Sequence, residues 1–462
     1  CIDVNHTHLP KTLDQQSHWL KTLGFSDNSI QSIWPEIISK SALSHKKNRD
    51  ELIRKEFLFT FVNQLSLIAH NKDLALAVFL DFVRSARAKS TLFTLILRNQ
   101  KLLNKLVILF SHSPYMGQVI ASRPELIDSF LYGLHELSDD TEESLQILFE
   151  KRQLAEIHSA IDFFETFSTP LVQKQLSDTA DEIARDLKKI VLKEIPQAQF
   201  TIVALGKWGS QELGYKSDLD FILVKNGEIN GDDHRAAKRF LNYLTSPQRG
   251  GKIYNIDLRL RPSGSSGPLL VSVKTLIEYF ENQAQPWERQ SYIRMRPLEA
   301  LPSWKPSLIF SKPLTPQDLA ELKRIRLELH KPSNQEKLDI KYSAGGLIDI
   351  EFAIQISILK KQILPTKCAT VELLSLLTKS DPLWQAQADE LLEHYKILKK
   401  SEELLRLITD SSNTTMTLGG ESLSRIAQIE NTLPEKVFSK LLQTLTRSEQ
   451  ILKNLDPIHQ QD

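Results

Sequence analysis

The stretch ALGKWGSQELGYKSDLDFILVK (204–225) contains the features that decide the fold of this chain. It completes one apolar run, FTIVALG (200–206), and contains a second, DLDFILVK (218–225), which stops before Asn226-Gly227. β-Branched and aromatic runs that end at glycine or at an Asn-Gly turn are typical of buried strands. The sequence therefore predicts two strands joined through a glycine-containing turn, GKWGS (206–210).

The turn and the second strand carry groups that suit a phosphate and a cation. A strand that runs into a glycine-containing turn exposes backbone N–H groups and leaves space for phosphate oxygens. Asp218 and Asp220 stand at i and i+2 of the predicted strand, so both carboxylates leave the same face. Converging carboxylates repel each other unless a cation lies between them, and such hard oxygen ligands suit Mg²⁺.

A third strand is predicted over KIYNIDLRLRP (252–262), where Asp257, Arg259 and Arg261 share a face by the same period of two. A DxD pair alone is usually two solvated residues at a strand end, and two arginines alone are usually surface ion-pair partners. The turn, the DxD pair and the third strand follow one another within 206–261. Three carboxylates and two guanidiniums beside a phosphate turn are the groups that nucleotidyl transfer needs.

Helical periodicity fills most of the remaining chain. Residues 1–195 contain amphipathic runs with almost no glycine, and helical patterns return from about Pro316. HRAAKRFLNYLTSP (234–247) predicts a helix within the strand region, with Asp232 or Asp233 as its N-cap. Strand, loop, strand, helix, strand predicts an α+β or α/β unit on one sheet. We expect three domains, over 1–195, 196–312 and 313–462.

The composition is that of a globular protein with several domains. Its 462 residues include 58 Lys+Arg and 57 Asp+Glu, and this balance argues against binding nucleic acid or an anionic membrane through bulk electrostatics. Two cysteines cannot form a disulfide framework or a cysteine-based metal site. No stretch reads as a membrane span or a secretory signal, so a cytoplasmic location is expected.

These motifs resemble the DNA polymerase β-like nucleotidyltransferase superfamily, in which a Gly-[Gly/Ser] turn precedes DxD and a third Asp. The longer strings resemble a narrower family, the glutamine synthetase adenylyltransferases (glutamate–ammonia-ligase adenylyltransferases). Members normally carry two such domains, one that removes AMP and one that attaches it. This chain holds one copy, which is more similar to the attaching, C-terminal half. The matching pieces, between about residues 110 and 360, are SPYMGQVIASRPELIDSFL, ALGKWGSQELGYKSDLDFILV, NIDLRLRPSGSSGPLLVS, WERQ with RMRP after it, and KYSAGGLIDIEFAIQ.

The resemblance implies an α+β fold, with a polymerase β-like sheet domain between an N-terminal helical domain and a C-terminal helical bundle. It implies Mg²⁺-dependent transfer of AMP from ATP to a tyrosine of glutamine synthetase, and control by a PII signalling protein. It makes Asp218, Asp220 and Asp257 the catalytic metal ligands, with Asp257 also the candidate base. The residues it implies for nucleotide phosphates are Gly206, Lys207, Gly209, Ser210, Arg259 and Arg261.

Two positions of the turn depart from the family pattern. Trp208 stands where the family usually has Leu, and Ser210 stands where it usually has Gly. Ser210 still fits the wider Gly-[Gly/Ser] pattern, so phosphate binding is still expected. Trp208 leaves open whether a nucleotide or a partner packs differently at this turn.

The segment GGLIDIEF (345–352) allows two interpretations. Two glycines followed by spaced apolar residues read as a turn into a packed helix, where Asp349 is favourable near the N-terminus. Glu351 and Gln355 stand at i and i+4 and so share a face of that helix. The segment therefore serves either packing between domains or the site itself.

The sequence leaves three alternative functions open. The same carboxylates would serve phosphorolytic removal of AMP from glutamine synthetase. Uridylylation of PII by a related family is disfavoured, because the chain contains no His-Asp dipeptide of the kind used by the hydrolase domain of those enzymes. A silent regulatory module that binds glutamine synthetase or nucleotide is disfavoured, because all three acidic residues are present.

Overall fold

A computed structural model of the chain describes residues 8–42, 48–409 and 411–455. The part before the sheet is helical, as its apolar periodicity predicts. Its helices are α1 (Leu13–Thr22), α2 (Trp34–Lys40), α3 (Asn48–Ile68), α4 (Lys72–Ser85), α5 (Lys89–Arg98), α6 (Gln100–His112), α7 (Pro114–Ser122), α8 (Leu126–Tyr132), α9 (Thr141–Thr166) and α10 (Thr169–Glu194), with a π-helical turn at Ser29–Ile33.

Helices α9 and α10 form a long pair that leads into the sheet. The carboxylate of Asp140 caps α9 by accepting a hydrogen bond from the backbone N–H of Glu143 at 2.8 Å. The helix is followed by Phe167, whose φ of 52° is left-handed and reverses the chain. Helix α10 buries one face that includes Ala180, Asp181 and Leu187.

A mixed sheet lies between residues 201 and 297. Strand β2 pairs antiparallel with β1, which in turn pairs antiparallel with β7. The other edge of β2 is shared by two parallel strands, β5 at its start and β6 at its end. The elements of this part are β1 (Thr201–Ala204), α11 (Gly206–Gly209), β2 (Leu219–Lys225), α12 (Gly231–Thr245), β3 (Pro247–Gln248), β4 (Gly251–Lys252), β5 (Ile256–Asp257), β6 (Leu270–Ser272), α13 (Val273–Asn282), α14 (Pro286–Tyr292) and β7 (Arg296–Pro297), with 3₁₀ turns at Gly264–Ser266 and Pro306–Phe310.

Aromatic packing joins the sheet to α12. The ring of Phe240 on α12 lies 5.6 Å from Phe200 and 6.1 Å from Phe221 of β2, centroid to centroid, in edge-on arrangements. All three rings are buried. The two strands predicted at 200–206 and 218–225 and the helix after them are confirmed, and so is the α+β class.

Two local predictions were wrong. The N-cap of α12 is Asn230, whose side chain accepts from the N–H groups of Asp232 and Asp233, so neither of those two residues is the cap. The predicted strand at 252–262 is two short pieces, β4 and β5. The chain turns after Asp257 because its carboxylate accepts the backbone N–H of Arg259 at 2.9 Å, and local hydrogen bonding of this kind competes with a strand.

The part after the sheet is a helical bundle built around α18. This long helix buries one face in its first half and is buried on all sides over 401–408. It contacts α16, α17, α19 and α20 as well as α7 and α10. The elements are α15 (Pro316–Leu329), β8 (Lys337–Asp339), α16 (Leu347–Lys360), α17 (Thr370–Ser380), α18 (Pro382–Thr409), β9 (Thr415–Thr417), α19 (Glu421–Ile429) and α20 (Pro434–Leu455). Among the helices of the three described ranges, none is long and apolar enough to cross a bilayer.

Candidate active site

The parallel pairing of β2 and β5 brings two of the predicted carboxylates side by side. Asp220 of β2 stands directly opposite Asp257 of β5 in the strand register. Asp220 is half-buried, and Asp218, just before β2, is exposed. Burial raises the pKa of Asp220 to about 6, and the negative charges of Asp257 and then Asp218 add to this effect. The three carboxylates therefore lie within electrostatic reach of one another, as the sequence predicts.

Asp257 is held by its neighbour on the same turn. The Nε of Arg259 donates to both oxygens of Asp257, at 3.0 and 2.9 Å, and these charge-assisted bonds lower the pKa of Asp257. The side chain of Arg259 is 82% exposed. Arg261 lines the same open cleft as Asp218, Asp257 and Arg259. The prediction that all three residues of this segment share one strand face was wrong, because the strand ends at Asp257.

The donor set fits a hard divalent cation, because it consists of carboxylates and one of them has a raised pKa in the presence of the others. These groups do not form a closed cage as arranged. Across the described ranges, no three His, Cys, Asp or Glu side chains lie close enough together to hold a metal ion. Both oxygens of Asp257 also accept hydrogen bonds from Arg259.

Gly206 lies against the carboxylate of Asp220. Its φ of +52° is left-handed, and a Cβ at this position would lie 2.9 Å from the Cγ of Asp220 and would overlap the carboxylate. Glycine is therefore required here by two independent constraints, the backbone conformation and the close approach of the carboxylate.

We expect Gly206→Ala to lower at least tenfold the rate of the nucleotidyl transfer that the sequence predicts, because the added methyl group displaces Asp220. The left-handed backbone should cost a further ~1 kcal/mol of stability. Gly419→Ala is the matched control, since Gly419 has a φ of +75° and no atom within 4 Å of an added Cβ. Single-turnover assays and urea unfolding should show a stability loss in both variants and a rate loss only in Gly206→Ala. Equal rates for the two variants would contradict this assignment.

Gly209 and Ser210 face the interior of the protein. A Cβ at Gly209 would collide with the backbone carbonyl of Arg294 and lie 2.8 Å from that of Ala204. Ser210 is buried, and its hydroxyl donates to the carbonyl of Gly206 at 3.2 Å. Glycine at 209 is thus explained by close packing of the turn against the 294–296 segment. A phosphate contact from either residue stays a prediction.

Trp208 belongs to the core. It is fully buried, and its Nε1 donates to the carboxylate of Asp181 on α10 at 2.8 Å. Arg296 of β7 donates to both oxygens of Asp181, at 2.7 and 2.8 Å, and to the carbonyls of Trp208 and Gly209, each at 3.1 Å. These contacts fix the turn that carries Gly206 and Lys207 between α10 and β7.

We expect Trp208→Leu to lower the free energy of unfolding by about 2 to 4 kcal/mol, through the cavity and the lost Asp181 bond, with little change in ATP affinity. Urea unfolding and calorimetry measure the two quantities. Trp287→Leu, at a half-buried tryptophan that packs on Leu319, Leu322 and Ile356, should cost less. A large loss of ATP affinity in Trp208→Leu would instead place this ring at the nucleotide.

Lys207 faces the C-terminal bundle. Its Nζ lies 3.3 Å from Oε1 of Glu402 on α18, a residue 195 positions further along the chain. The side chain is 19% exposed, and burial lowers the pKa of Lys207 to about 8. Glu402 could not be found from the sequence alone, because a charged run on a long helix is usually a solvated face and no spacing links it to the turn.

The GGLIDIEF segment has two separate roles. The Oδ1 of Asp349 accepts hydrogen bonds from Arg326 and His330 at 2.8 Å each, within the bundle. Although burial opposes it, these bonds bring the pKa of Asp349 down to about 2. Glu351 pairs instead with Arg294 of the sheet region at 3.0 Å. The contacts of both residues fit packing within the bundle and between it and the sheet.

Comparisons with known proteins match two parts of the chain. Residues 149–305 match the family model described as glutamate-ammonia ligase adenylyltransferase. This range includes every site residue described above except those of the bundle. Residues 317–455 match the family model described as GlnD PII-uridylyltransferase.

Curated relatives carry the name bifunctional glutamine synthetase adenylyltransferase/adenylyl-removing enzyme. The protein of Idiomarina loihiensis is 25% identical over 71% of this chain, that of Brucella suis 26% over 80%, and that of Methylococcus capsulatus 28% over 68%. The chain spans 41%, 43% and 40% of the lengths of these three proteins. The resemblance to glutamine synthetase adenylyltransferases is thereby confirmed.

Proposed function

We propose that this chain is a nucleotidyltransferase that moves AMP from ATP to a tyrosine hydroxyl of glutamine synthetase and releases pyrophosphate. The observation that carries the proposal is the register of β2 and β5, which sets Asp220 beside Asp257 next to the turn of Gly206. The family match over 149–305 covers this whole arrangement, and the names of the relatives supply the acceptor protein.

Asp218, Asp220 and Asp257 would hold Mg²⁺. When bound, the ion neutralises charge on the phosphates of ATP and on the attacking oxygen. The raised pKa of Asp220 supports this assignment, since a nearby cation favours the ionised carboxylate that burial disfavours.

The remaining chemistry falls to the protein's own side chains. A tyrosine hydroxyl has a pKa near 10, so its proton must be taken by a base in order for it to attack at neutral pH. Asp257 is the proposed base, but its bonds to Arg259 weaken it in this role by lowering its pKa. We infer that the exposed side chain of Arg259 releases Asp257 and binds a phosphate of ATP instead. This movement would free Asp257 and also stabilise the bound nucleotide.

The domain arrangement is part of the same proposal. The strand order and the acidic positions support a polymerase β-like sheet domain over 196–312, with helical domains over 1–195 and 313–462. The helical flanks would dock glutamine synthetase and present its tyrosine, a positioning effect that can supply several kcal/mol. The match of 317–455 to a PII-uridylyltransferase model supports a PII protein as a further partner of the bundle.

Removal of AMP by phosphorolysis is the second candidate, since the relatives are named for both directions. Parallel assays separate the two activities. One contains glutamine synthetase, ATP and Mg²⁺, and the other contains adenylylated glutamine synthetase with inorganic phosphate. We expect AMP on a tyrosine in the first assay, located by mass mapping. ADP release in the second assay alone would reverse the proposed direction, and labelling of a PII protein from UTP in a third would replace the proposal.

A further inference from the structure

Five charged side chains meet where the bundle touches the glycine turn. Lys399, Glu402, Glu403 and Arg406 lie at i, i+3, i+4 and i+7 of α18, so they share one face of the helix. All four are buried. Lys207 reaches this face from the turn. We refer to these five residues as the α18 charge cluster.

Glu402 is the centre of the α18 charge cluster. Its Oε2 accepts from Lys399 at 2.6 Å and its Oε1 accepts from Arg406 at 2.7 Å. Lys207 lies further out, at 3.3 Å from Oε1 and 3.5 Å from Oε2. Glu402 therefore contacts three cations, and Lys207 is the most distant of them. The shortest bonds to this carboxylate come from Lys399 and Arg406.

The α18 charge cluster contains three cations and two carboxylates. Beside it, Arg294 lies 3.0 Å from Glu351 and 3.7 Å from Glu212, so the wider network has four cations and four carboxylates. Burial, with repulsion from Lys399 and Arg406, lowers the pKa of Lys207, whereas Glu402 acts to raise it. An ammonium has three donors, and the contacts with Glu402 at 3.3 and 3.5 Å leave Lys207 able to donate to a phosphate as well.

The same helix also holds the segment that leads to Asp218. The Oε2 of Glu403 accepts the backbone N–H of Tyr215 at 3.1 Å, and Arg406 donates to the carbonyl of Tyr215 at 2.8 Å. The segment 207–215 is thus attached to α18 at both of its ends. The bundle therefore fixes two parts of the site, the ammonium of Lys207 and the approach to β2.

We propose that Glu402 is a positioning residue, which holds the ammonium of Lys207 at the turn of Gly206 so that it meets the phosphate groups of a bound nucleotide. The C-terminal bundle is then part of the nucleotide site as well as a docking surface. This inference deepens the proposed function and rests on it for the identity of the nucleotide.

The test compares affinities for ATP with Mg²⁺ and for adenosine, together with single-turnover transfer, in the full chain. The variants are Lys207→Met, Glu402→Gln, Glu402→Asp and the double variant. We expect Lys207→Met and Glu402→Gln each to weaken ATP binding about tenfold with adenosine affinity unchanged, and the double variant to be no weaker than Lys207→Met. Glu402→Asp should recover part of the loss, and it serves as the second variant if Glu402→Gln does not fold.

Asp349→Asn is the matched control, because it also removes a buried carboxylate that accepts hydrogen bonds from two side chains of the bundle. It should lower the melting temperature without changing the ratio of ATP to adenosine affinity. The role of Glu402 would be overturned if the losses in ATP affinity added in the double variant. It would also be overturned if the ratio of ATP to adenosine affinity were unchanged in both Glu402 variants. A wild-type chain that binds ATP but labels no glutamine synthetase would refute the proposed function alone, and the affinity ratios would still decide the role of Glu402.

Discussion

Asp220→Asn is expected to lower the rate of AMP transfer at least a hundredfold while leaving the fold intact. The amide keeps the shape of the carboxylate beside Gly206 but cannot supply the charge that a divalent cation needs. Single-turnover transfer measures the loss, and Asp389→Asn, at an exposed acid on α18, is the control. If Asp220→Asn keeps more than about a tenth of the wild-type rate, a loss of only ~1.4 kcal/mol, the metal assignment is wrong.

The same variant should also change the dependence of stability on pH. The pKa of Asp220 is about 6 in the folded chain against 3.8 for an ordinary Asp, so between these values the folded state holds more protons than the unfolded state. Wild-type stability therefore falls as pH rises through this window. Without Mg²⁺, Asp220→Asn should melt above wild type at pH 7.5, and the difference should shrink towards pH 4. Melting curves that stay parallel across this range would contradict the raised pKa.

Asp257→Asn should separate the chemical step from binding. Asp257 lies on β5, is proposed as the base and is held by Arg259 on its own turn. Its loss should lower single-turnover transfer at least a hundredfold but change the affinity for ATP with Mg²⁺ only a few-fold. Asp218→Asn and Asp220→Asn should damage both quantities, because the metal they hold accompanies the nucleotide.

Calorimetry beside single-turnover assays distinguishes these outcomes for the three Asn variants. Equal loss of ATP binding in all three would reject a separate role for Asp257. Normal transfer by Asp257→Asn would remove this residue from the site.

The two central strands of the site and the placement of its carboxylates were predictable from the sequence. Strand periodicity and the Asn-Gly turn predicted β1 and β2, and the DxD spacing with the third Asp predicted which carboxylates approach one another. The alternation of faces predicted for a strand does not continue after Asp257, because the carboxylate of Asp257 accepts the backbone N–H of Arg259 two residues later. This bond ends the strand without any change in residue type.

The supporting contacts could not be predicted from spacing. Asp181, Arg296 and Glu402 reach the turn from α10, β7 and α18, and each forms its bond only because the tertiary fold brings distant segments together. Trp208 illustrates the same limit, since an aromatic residue in a phosphate turn reads equally well as a ligand platform or as core. Its complete burial against α10 places it in the core.

The most direct test of the central claim follows the phosphorus atoms of ATP. The full chain is incubated with glutamine synthetase, Mg²⁺ and ATP that carries its label in either the α- or the γ-phosphate, with the Asp220→Asn variant in parallel. We expect protein-bound label from α-labelled ATP only, on a tyrosine, with the γ-label released in pyrophosphate and no label from the variant. Label transferred from the γ-phosphate, or α-label that persists in Asp220→Asn, would contradict this expectation.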